Sequence, residues 1–286
     1  MAKELEYYKA VERSIQKTYH KRLWTPFVAA IKKYELVQEG DRIAVCISGG
    51  KDSMLLAKMM QIFQRYYSDV RFDLTYLVMD PGYAPENRRQ IEENAEKLHI
   101  PVTIFETDIF DVAYDQKENP CYLCARMRRG NLYAKAREMG CNKIALGHHF
   151  NDVIETTMIG MLYGSQLQGM MPKLHSTNFA GMELIRPLYL IHEDDIVAWK
   201  KYNHLEFLQC ACRFTEEHYK VLYGMEQPSD RESESKRLQI KLLLKELEAK
   251  DPGISQSIFN SIHAVCLDTF PGYKSKGKTH FFLDGY

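Results

Sequence analysis

Two rhythms alternate in the apolar positions of this chain. Over the first forty residues Ala10, Val11, Ile15, Tyr19, Leu23, Phe27, Ala30, Ile31 and Tyr34 recur near a helical period, predicting a helical segment closed by Gly40 and Asp41. Arg42-Ile43-Ala44-Val45-Cys46-Ile47 is then a short apolar run, the mark of a strand buried on both faces. Ser48-Gly49-Gly50 breaks it, and Asp52 to Tyr67 returns to helical spacing. Phe72 to Met79 predicts a second buried strand, ending at Asp80-Pro81-Gly82, and Pro85 to Leu98 an amphipathic helix. Pro101 to Phe105 reads as a third strand, Ala125 to Met139 as a basic helix and Lys143 to Leu146 as a fourth strand. Gly147-His148-His149 and a helix from Asp152 to Leu162 follow. Such repeated alternation predicts an α/β fold, a central parallel sheet covered by helices on both faces. Ligands of such sheets bind beyond the carboxyl ends of the strands. The loops at Ser48 and Gly147 are therefore expected to face one cleft.

Past Gly164 the pattern weakens. Ile185-Arg186-Pro187-Leu188 suggests a fifth strand, Glu193 to Tyr202 a helix, and Arg231 to Lys250 a charged helix carrying Leu238, Ile240, Leu243, Leu244 and Leu247. Lys274, Lys276 and Lys278 give the last residues the character of a basic tail. The expected organisation is a helical N-terminal segment (1–40), a catalytic domain (41–213) and a helical C-terminal segment with that tail (214–286). An apolar share of 45% with 27% charged residues excludes disorder, collagen-like repeats and coiled coil as the main architecture. The 38 basic residues balance 38 acidic ones, so any nucleic-acid surface must be a local basic face. The charged N-terminus lacks the apolar stretch of a signal peptide, and no run is long enough to span a membrane. A soluble, cytoplasmic protein is the expectation.

Ser48-Gly49-Gly50-Lys51-Asp52-Ser53 lies between a strand and a helix. Its glycines let the backbone turn tightly and present N–H groups to an anion. The helix start adds its positive dipole end, and Ser48, Ser53 and Lys51 add hydroxyls and a charge. The Walker spacing is absent, so this is a phosphate loop of another kind or a Ser-capped turn.

Seven cysteines, an odd number without a secretory signal, favour metal or redox chemistry over a disulfide framework. Cys121 and Cys124 form a C-x-x-C, and Cys210 and Cys212 a C-x-C, while Cys46, Cys141 and Cys266 stand alone. A helix start beside Cys121 and Cys124 favours the thiolate that binds metal. Two pairs would also suit a structural zinc site. Arg126, Arg128 and Arg129 follow within a turn, either as a solvated face or as phosphate contacts.

Taken with Leu146-Gly147-His148-His149-Phe150-Asn151-Asp152, Gly169-Met170-Met171-Pro172-Lys173-Leu174 and Ile185-Arg186-Pro187-Leu188, these motifs resemble the tRNA-cytidine 2-sulfurtransferase family of ATP pyrophosphatases. The resemblance runs from about Tyr34 to Cys212. It implies a nucleotide α-hydrolase-like fold, ATP with Mg2+, and a [4Fe-4S] cluster held by three cysteines. Two of these map to Cys121 and Cys124; the third maps to Cys212, with Cys210 as alternative, because the family's second C-x-x-C is shortened here. The ATP contacts it implies are Ser48, Gly49, Gly50, Lys51, Asp52, Ser53, Asp80, Gly147 and His148, and the catalytic groups Lys51, Asp52, Asp152 and Arg128. The family usually has two aspartates where this chain has Asn151-Asp152, so only Asp152 carries over. The implied reaction adenylates C2 of an anticodon-loop cytidine (position 32 in the family) and replaces its oxygen with sulfur. The implied partners are tRNA and a cysteine desulfurase or another sulfide source, with a homodimer left open. A lysidine synthetase-like ligase or a two-thiouridine synthetase with structural zinc, or a non-enzymatic ATP-binding regulator, are the competing readings; the lack of cysteine before Cys46 disfavours the thiouridine branch.

Overall fold

The computed structural model describes residues 6–66, 69–109, 120–208 and 236–285, with side chains 120–125 and 285 outside the description. At its N-terminus, Val11, Ile15, Tyr19, Leu23, Phe27 and Ile31 are all buried, at strict four-residue steps. In a regular α-helix each such step advances about 40° around the axis, and five steps would carry the stripe to the far side. Two wide π-turns, Ser14–Thr18 and His20–Trp24, prevent this; they stand between α1 (Tyr7–Arg13) and α2 (Thr25–Lys33). Each takes up extra residues per turn, so the stripe stays on the core. The helical segment ends at Lys33, not at Gly40: Glu35 turns left-handed (φ 49°) and sends Leu36 and Val37 into the core. Ala10 lies on the exposed side.

Six strands form the main sheet: β1 (Arg42–Ile47), β2 (Asp73–Asp80), β3 (Val102–Glu106), β4 (Lys143–Ala145), β5 (Lys173–His175) and β6 (Glu183–Ile185). Their order is β3-β2-β1-β4-β6-β5, parallel except for β5, which runs antiparallel to β6 at the edge. The strand expected at Ile185–Leu188 lies earlier, because Arg186 and Pro187 already begin a turn in which the Tyr189 N–H donates to the Arg186 carbonyl at 3.1 Å. Strand β5 was not foreseen; three residues give too short a pattern to read.

Along β1, Ile43, Val45 and Ile47 enter one apolar cluster and Ala44 and Cys46 the other, as the two-residue side-chain period requires. The first cluster packs the N-terminal helices, α3 (Lys51–Tyr66), α4 (Pro85–Lys97) and α7 (Glu193–Tyr202) on one face. The second packs α5 (Pro120–Glu138) on the other through Tyr133 and Ala136. Helix α5 begins at Pro120, five residues ahead of the expected Ala125, so Cys121 and Cys124 fall in its first turns. A third cluster, with Phe150, Tyr189, Ile240, Leu244 and Phe259, joins α6 (Phe150–Tyr163), α8 (Lys236–Lys250) and α9 (Ile254–His263).

The C-terminal residues are not a plain basic tail. β7 (Gly272–Ser275) and β8 (Lys278–Phe281) pair as a hairpin, turned by Lys276 (φ 49°) and Gly277 (φ 76°). Both turn residues are left-handed, as a two-residue hairpin loop demands. Among the described residues no helix is long and apolar enough to cross a membrane. The boundary expected after residue 213 lies outside the described residues.

Candidate functional site

From β1 the chain moves outward through β2 to β3, then crosses back to place β4 on the other side of β1. That reversal opens a crevice at the carboxyl ends of β1 and β4. A cavity of about 370 Å³ lies there, within the range of small-molecule sites. Ser48 of the β1 loop lines it with Asp52 and Ser53 of the first turn of α3, and Gly147 and His148 of the β4 loop line it with Asp152 of the first turn of α6. Arg128 and Arg129 reach it from α5, and Cys46, Met79, Tyr83 and Leu132 complete the wall with Ile47 and Leu146.

The β1 loop is braced from within. Ser53 Oγ accepts the Ser48 N–H (3.1 Å), lies 3.2 Å from Ser48 Oγ and donates to the Gly50 carbonyl (3.0 Å). Gly49 holds φ at 83°, closed to most side chains, and a Cβ there would meet Ile91 Cγ1 at 2.6 Å. The first-turn N–H groups of α3 have no acceptor within the helix and so remain available to an anion.

Lys51 turns its ammonium onto two carboxylates, Asp52 Oδ2 at 3.1 Å and Glu193 Oε1 at 3.0 Å. Burial opposes its charge, but these two neighbours outweigh burial and hold the ammonium above its ordinary range. Glu193 also receives Lys241 from α8, at 2.8 Å on Oε2. Burial pushes its carboxyl up; Lys51, Lys241 and His149 win and hold it well below the usual range.

Asp152 first serves the backbone. As the third residue of α6 its Oδ2 accepts the His149 N–H at 3.0 Å, the reach-back bond of a capping box. Its Oδ1 meets Arg237 Nη2 at 2.6 Å, while Arg237 Nε meets Glu155 at 3.1 Å. Burial raises the Asp152 carboxyl, yet His149 and Arg237 bring it below its ordinary value. Asn151 accepts the Glu193 N–H at 2.9 Å and so fixes the start of α7. His149 Nε2 stands 3.8 Å from Asp52 Oδ1 and 3.6 Å from Asp152 Oδ2. Burial, with Arg186, Arg237 and His149 adding to it against Asp152, lowers the His148 imidazole to about 4, leaving it neutral near pH 7.

Residues 9–213 match the PP-loop domain family. The chain is 32% identical over 240 residues to a tRNA-cytidine(32) 2-sulfurtransferase of Citrifermentans bemidjiense, covering 82% of this chain and 87% of that one. Against the enzyme of that description from Alkalilimnicola ehrlichii, identity is 35% over 255 residues, 87% of this chain and 74% of the relative. The chain belongs to the tRNA-cytidine 2-sulfurtransferase family of PP-loop enzymes. Its fold is also that of the U34-tRNA thiolase NcsA from Methanococcus maripaludis, solved with its [4Fe-4S] cluster, at a TM-score of 0.62 and 19% identity over 88% of this chain and 80% of that one.

Of the residues that family membership pointed to, the cavity wall gathers Ser48, Asp52, Ser53, Arg128, Gly147, His148 and Asp152. Gly49, Gly50 and Lys51 form the loop beside it. Asp80 is not in the wall: Oδ1 accepts the Gly82 and Tyr83 N–H groups (2.9 and 2.7 Å), and Oδ2 pairs with Arg88 at 3.3 Å. Its carboxylate shapes the turn after β2. Cys210 and Cys212 lie outside the described residues, as do the side chains of Cys121 and Cys124. Cys46 and Cys141 are free and buried; burial pushes the Cys46 thiol up to about 12.

Sequence reasoning missed Glu193, Arg237, Lys241 and Glu155, which surround the loop from α6, α7 and α8. Their spacing carries no motif. Arg186 appeared only within a family motif. Its guanidinium is buried, donates through Nη1 to the Met171 carbonyl, and keeps Nε without a hydrogen bond. Burial, then the nearby Arg129, lowers it to about 10.

The residues present fit a magnesium-bound nucleotide. Asp52 Oδ1 is buried and has no hydrogen-bond partner, and Asp152 stands across His149 from it. Asp52 Oδ1 is therefore a hard oxygen donor of the kind Mg2+ takes, whereas both Asp152 oxygens already meet the His149 N–H and Arg237.

Proposed function

We propose that this enzyme thiolates tRNA in two steps. The C2 oxygen of an anticodon-loop cytidine attacks the α phosphate of ATP, releasing pyrophosphate and leaving an adenylated base. Sulfide then displaces AMP, the C2–S bond forming as the C2–O bond to AMP breaks, giving 2-thiocytidine; the sulfide comes from a cysteine desulfurase together with a thiol reductant of its persulfide, or from another sulfide source. The work is cytoplasmic.

In the first step, negative charge grows on the departing pyrophosphate. The first-turn amides of α3, Ser48 and Lys51 are the fixed donors that stabilise it. Asp52 or Asp152 would hold Mg2+, which would add neutralisation of those phosphates. Arg128 faces the same cavity and carries the positive charge that steadies the α phosphate or the tRNA backbone. His148, neutral near pH 7, adds no competing charge. A splayed single-stranded base is the form of RNA that such a pocket accepts.

Cys121, Cys124 and Cys212, with Cys210 as alternative, would hold the [4Fe-4S] cluster, which would supply a soft site for the sulfur. One observation carries this reading. Described residues that flank the two motifs support it: Arg128, four residues beyond Cys124, lines the cavity, and the Leu208 N–H, two residues before Cys210, donates to the Gly49 carbonyl at 3.1 Å.

Iron content after anaerobic reconstitution, measured with tRNA thiolation, tests it. Cys121→Ala, Cys124→Ala and Cys212→Ala are each expected to lose iron and thiolation yet still bind ATP, and Cys210→Ala to be milder. Full iron and thiolation in Cys121→Ala and Cys124→Ala overturns the cluster reading. A colourless zinc protein would favour a ligase-type reaction instead.

A further inference from the structure

Glu193 lies between two lysines that come from opposite ends of the chain. Its Oε1 meets Lys51, the first residue of α3, at 3.0 Å, and its Oε2 meets Lys241 of α8 at 2.8 Å. The carboxylate is itself fixed, because it begins α7 and Asn151 of α6 accepts its N–H at 2.9 Å. All three charged groups are largely buried, with side-chain exposures of 23%, 17% and 26% for Lys51, Glu193 and Lys241. Buried ion pairs are weak sources of stability, since desolvation offsets most of the attraction. Holding three such charges beside a phosphate loop therefore calls for another role.

We propose that Glu193 is the positioning residue of the phosphate-loop lysine, and that Lys241, from a helix beyond the matched domain, completes it. This rests on the reading of Lys51 as a contact to ATP phosphates. A lysine ammonium has three donors on a flexible stem. Asp52 and Glu193 take two and leave one for a phosphate oxygen, with the stem already ordered before ATP arrives. Lys241 occupies the second oxygen of Glu193, so the carboxylate does not swing to chelate Lys51 and withhold it. The C-terminal helix is thereby part of the nucleotide site rather than an appendage. Arg237 on the same helix, paired with Asp152 and Glu155, secures it one turn earlier.

The expected signature is a split between turnover and affinity. Glu193→Gln keeps the side-chain shape but frees Lys51, so kcat for tRNA-dependent pyrophosphate release falls about tenfold or more, ~1.4 kcal/mol of barrier. The same change removes a negative charge near the phosphates, so the Kd for MgATP without RNA stays within about threefold or tightens. Lys241→Met should lower kcat similarly, and Lys241→Arg should restore it. A purely structural role would lower Tm but leave kcat of the folded fraction unchanged. Wild-type kcat in folded Glu193→Gln overturns the inference; should that variant not fold, equal kcat in Lys241→Met and wild type does so. Failure of the wild-type enzyme to bind MgATP instead overturns the reading of the site, and the inference with it.

Discussion

A Cβ built on Gly147 would stand 3.1 Å from both the carbonyl carbon of Asp52 and the backbone nitrogen of Ser53. The β4 loop thus rests directly on the first turn of α3, backbone against backbone. The carboxylates of Asp52 and Asp152 come within reach of one imidazole because nothing larger than hydrogen separates the loops. Gly147→Ala should push them apart. The expected result is MgATP affinity weakened by at least about tenfold with a stability loss of about 1–3 kcal/mol, read by titration and by urea unfolding. Unchanged affinity would mean that the two loops do not act as one site.

Gly49→Ala acts differently. The residue sits at φ 83°, and the new methyl would collide with Ile91 Cγ1 at 2.6 Å and Leu208 Cδ1 at 2.9 Å. Strain and overpacking add, for a cost of about 2–4 kcal/mol. Thermal unfolding should show a Tm well below that of Gly147→Ala.

Lys51→Ala should abolish pyrophosphate release, by about a hundredfold or more, while the chain still folds. Glu193 keeps Lys241 as a partner, so the substitution does not strand a buried carboxylate. Asp52→Ala is expected to match it in turnover. Activity within about tenfold of wild type, ~1.4 kcal/mol, would refute the electrostatic role of either residue.

Stability should fall on acidification in two windows. His148 titrates in the fold at about 4, below its ordinary 6.5. Between those values the unfolded chain binds the proton and the fold does not, so stability rises with pH across that window. The Glu193 carboxyl is held below its ordinary 4.5; its contribution is fully present above 4.5 and is lost as pH falls through the lower folded value. Urea unfolding from pH 3.5 to 7 should show both slopes. His148→Asn should remove the upper one, and a persistent upper slope would assign it to another group.

Thiol reactivity gives an independent check on the cysteines outside the paired motifs. Cys266 is exposed and should alkylate first, whereas Cys46, buried and raised to about 12, should react only on unfolding. Cys46→Ala should retain iron, with a packing loss of roughly 1–2 kcal/mol. Mass spectrometry of the alkylated native protein reads the order directly.

What could be read from the chain alone follows from local rules. β1, buried on both faces, stands out because a strand between two helical layers must be apolar without interruption, from Ile43 to Ile47. The Ser48–Ser53 loop is legible because tight turning and anion contact need glycine and hydroxyl side chains at adjacent positions. The four-residue stripe of Val11 to Ile31 announced a helix, but the π-turns that keep it facing the core depend on what it packs against. Likewise the resemblance implied Asp80 as an ATP contact, and only the folded turn shows which groups its oxygens meet there, the Gly82 and Tyr83 N–H groups and Arg88.

The α/β alternation and the glycine-rich turn at Ser48–Ser53 are legible along the chain because each is written in neighbouring residues, and the family is legible in motifs that recur in order along it. Only the tertiary arrangement brings Glu193 to Lys51, Lys241 to Glu193 and Arg237 to Asp152, across separations of 142, 48 and 85 positions. Charges so far apart leave no periodicity. Their pairing is fixed by which helix ends the crevice between β1 and β4 brings together, and by the cost of burying any one of them alone.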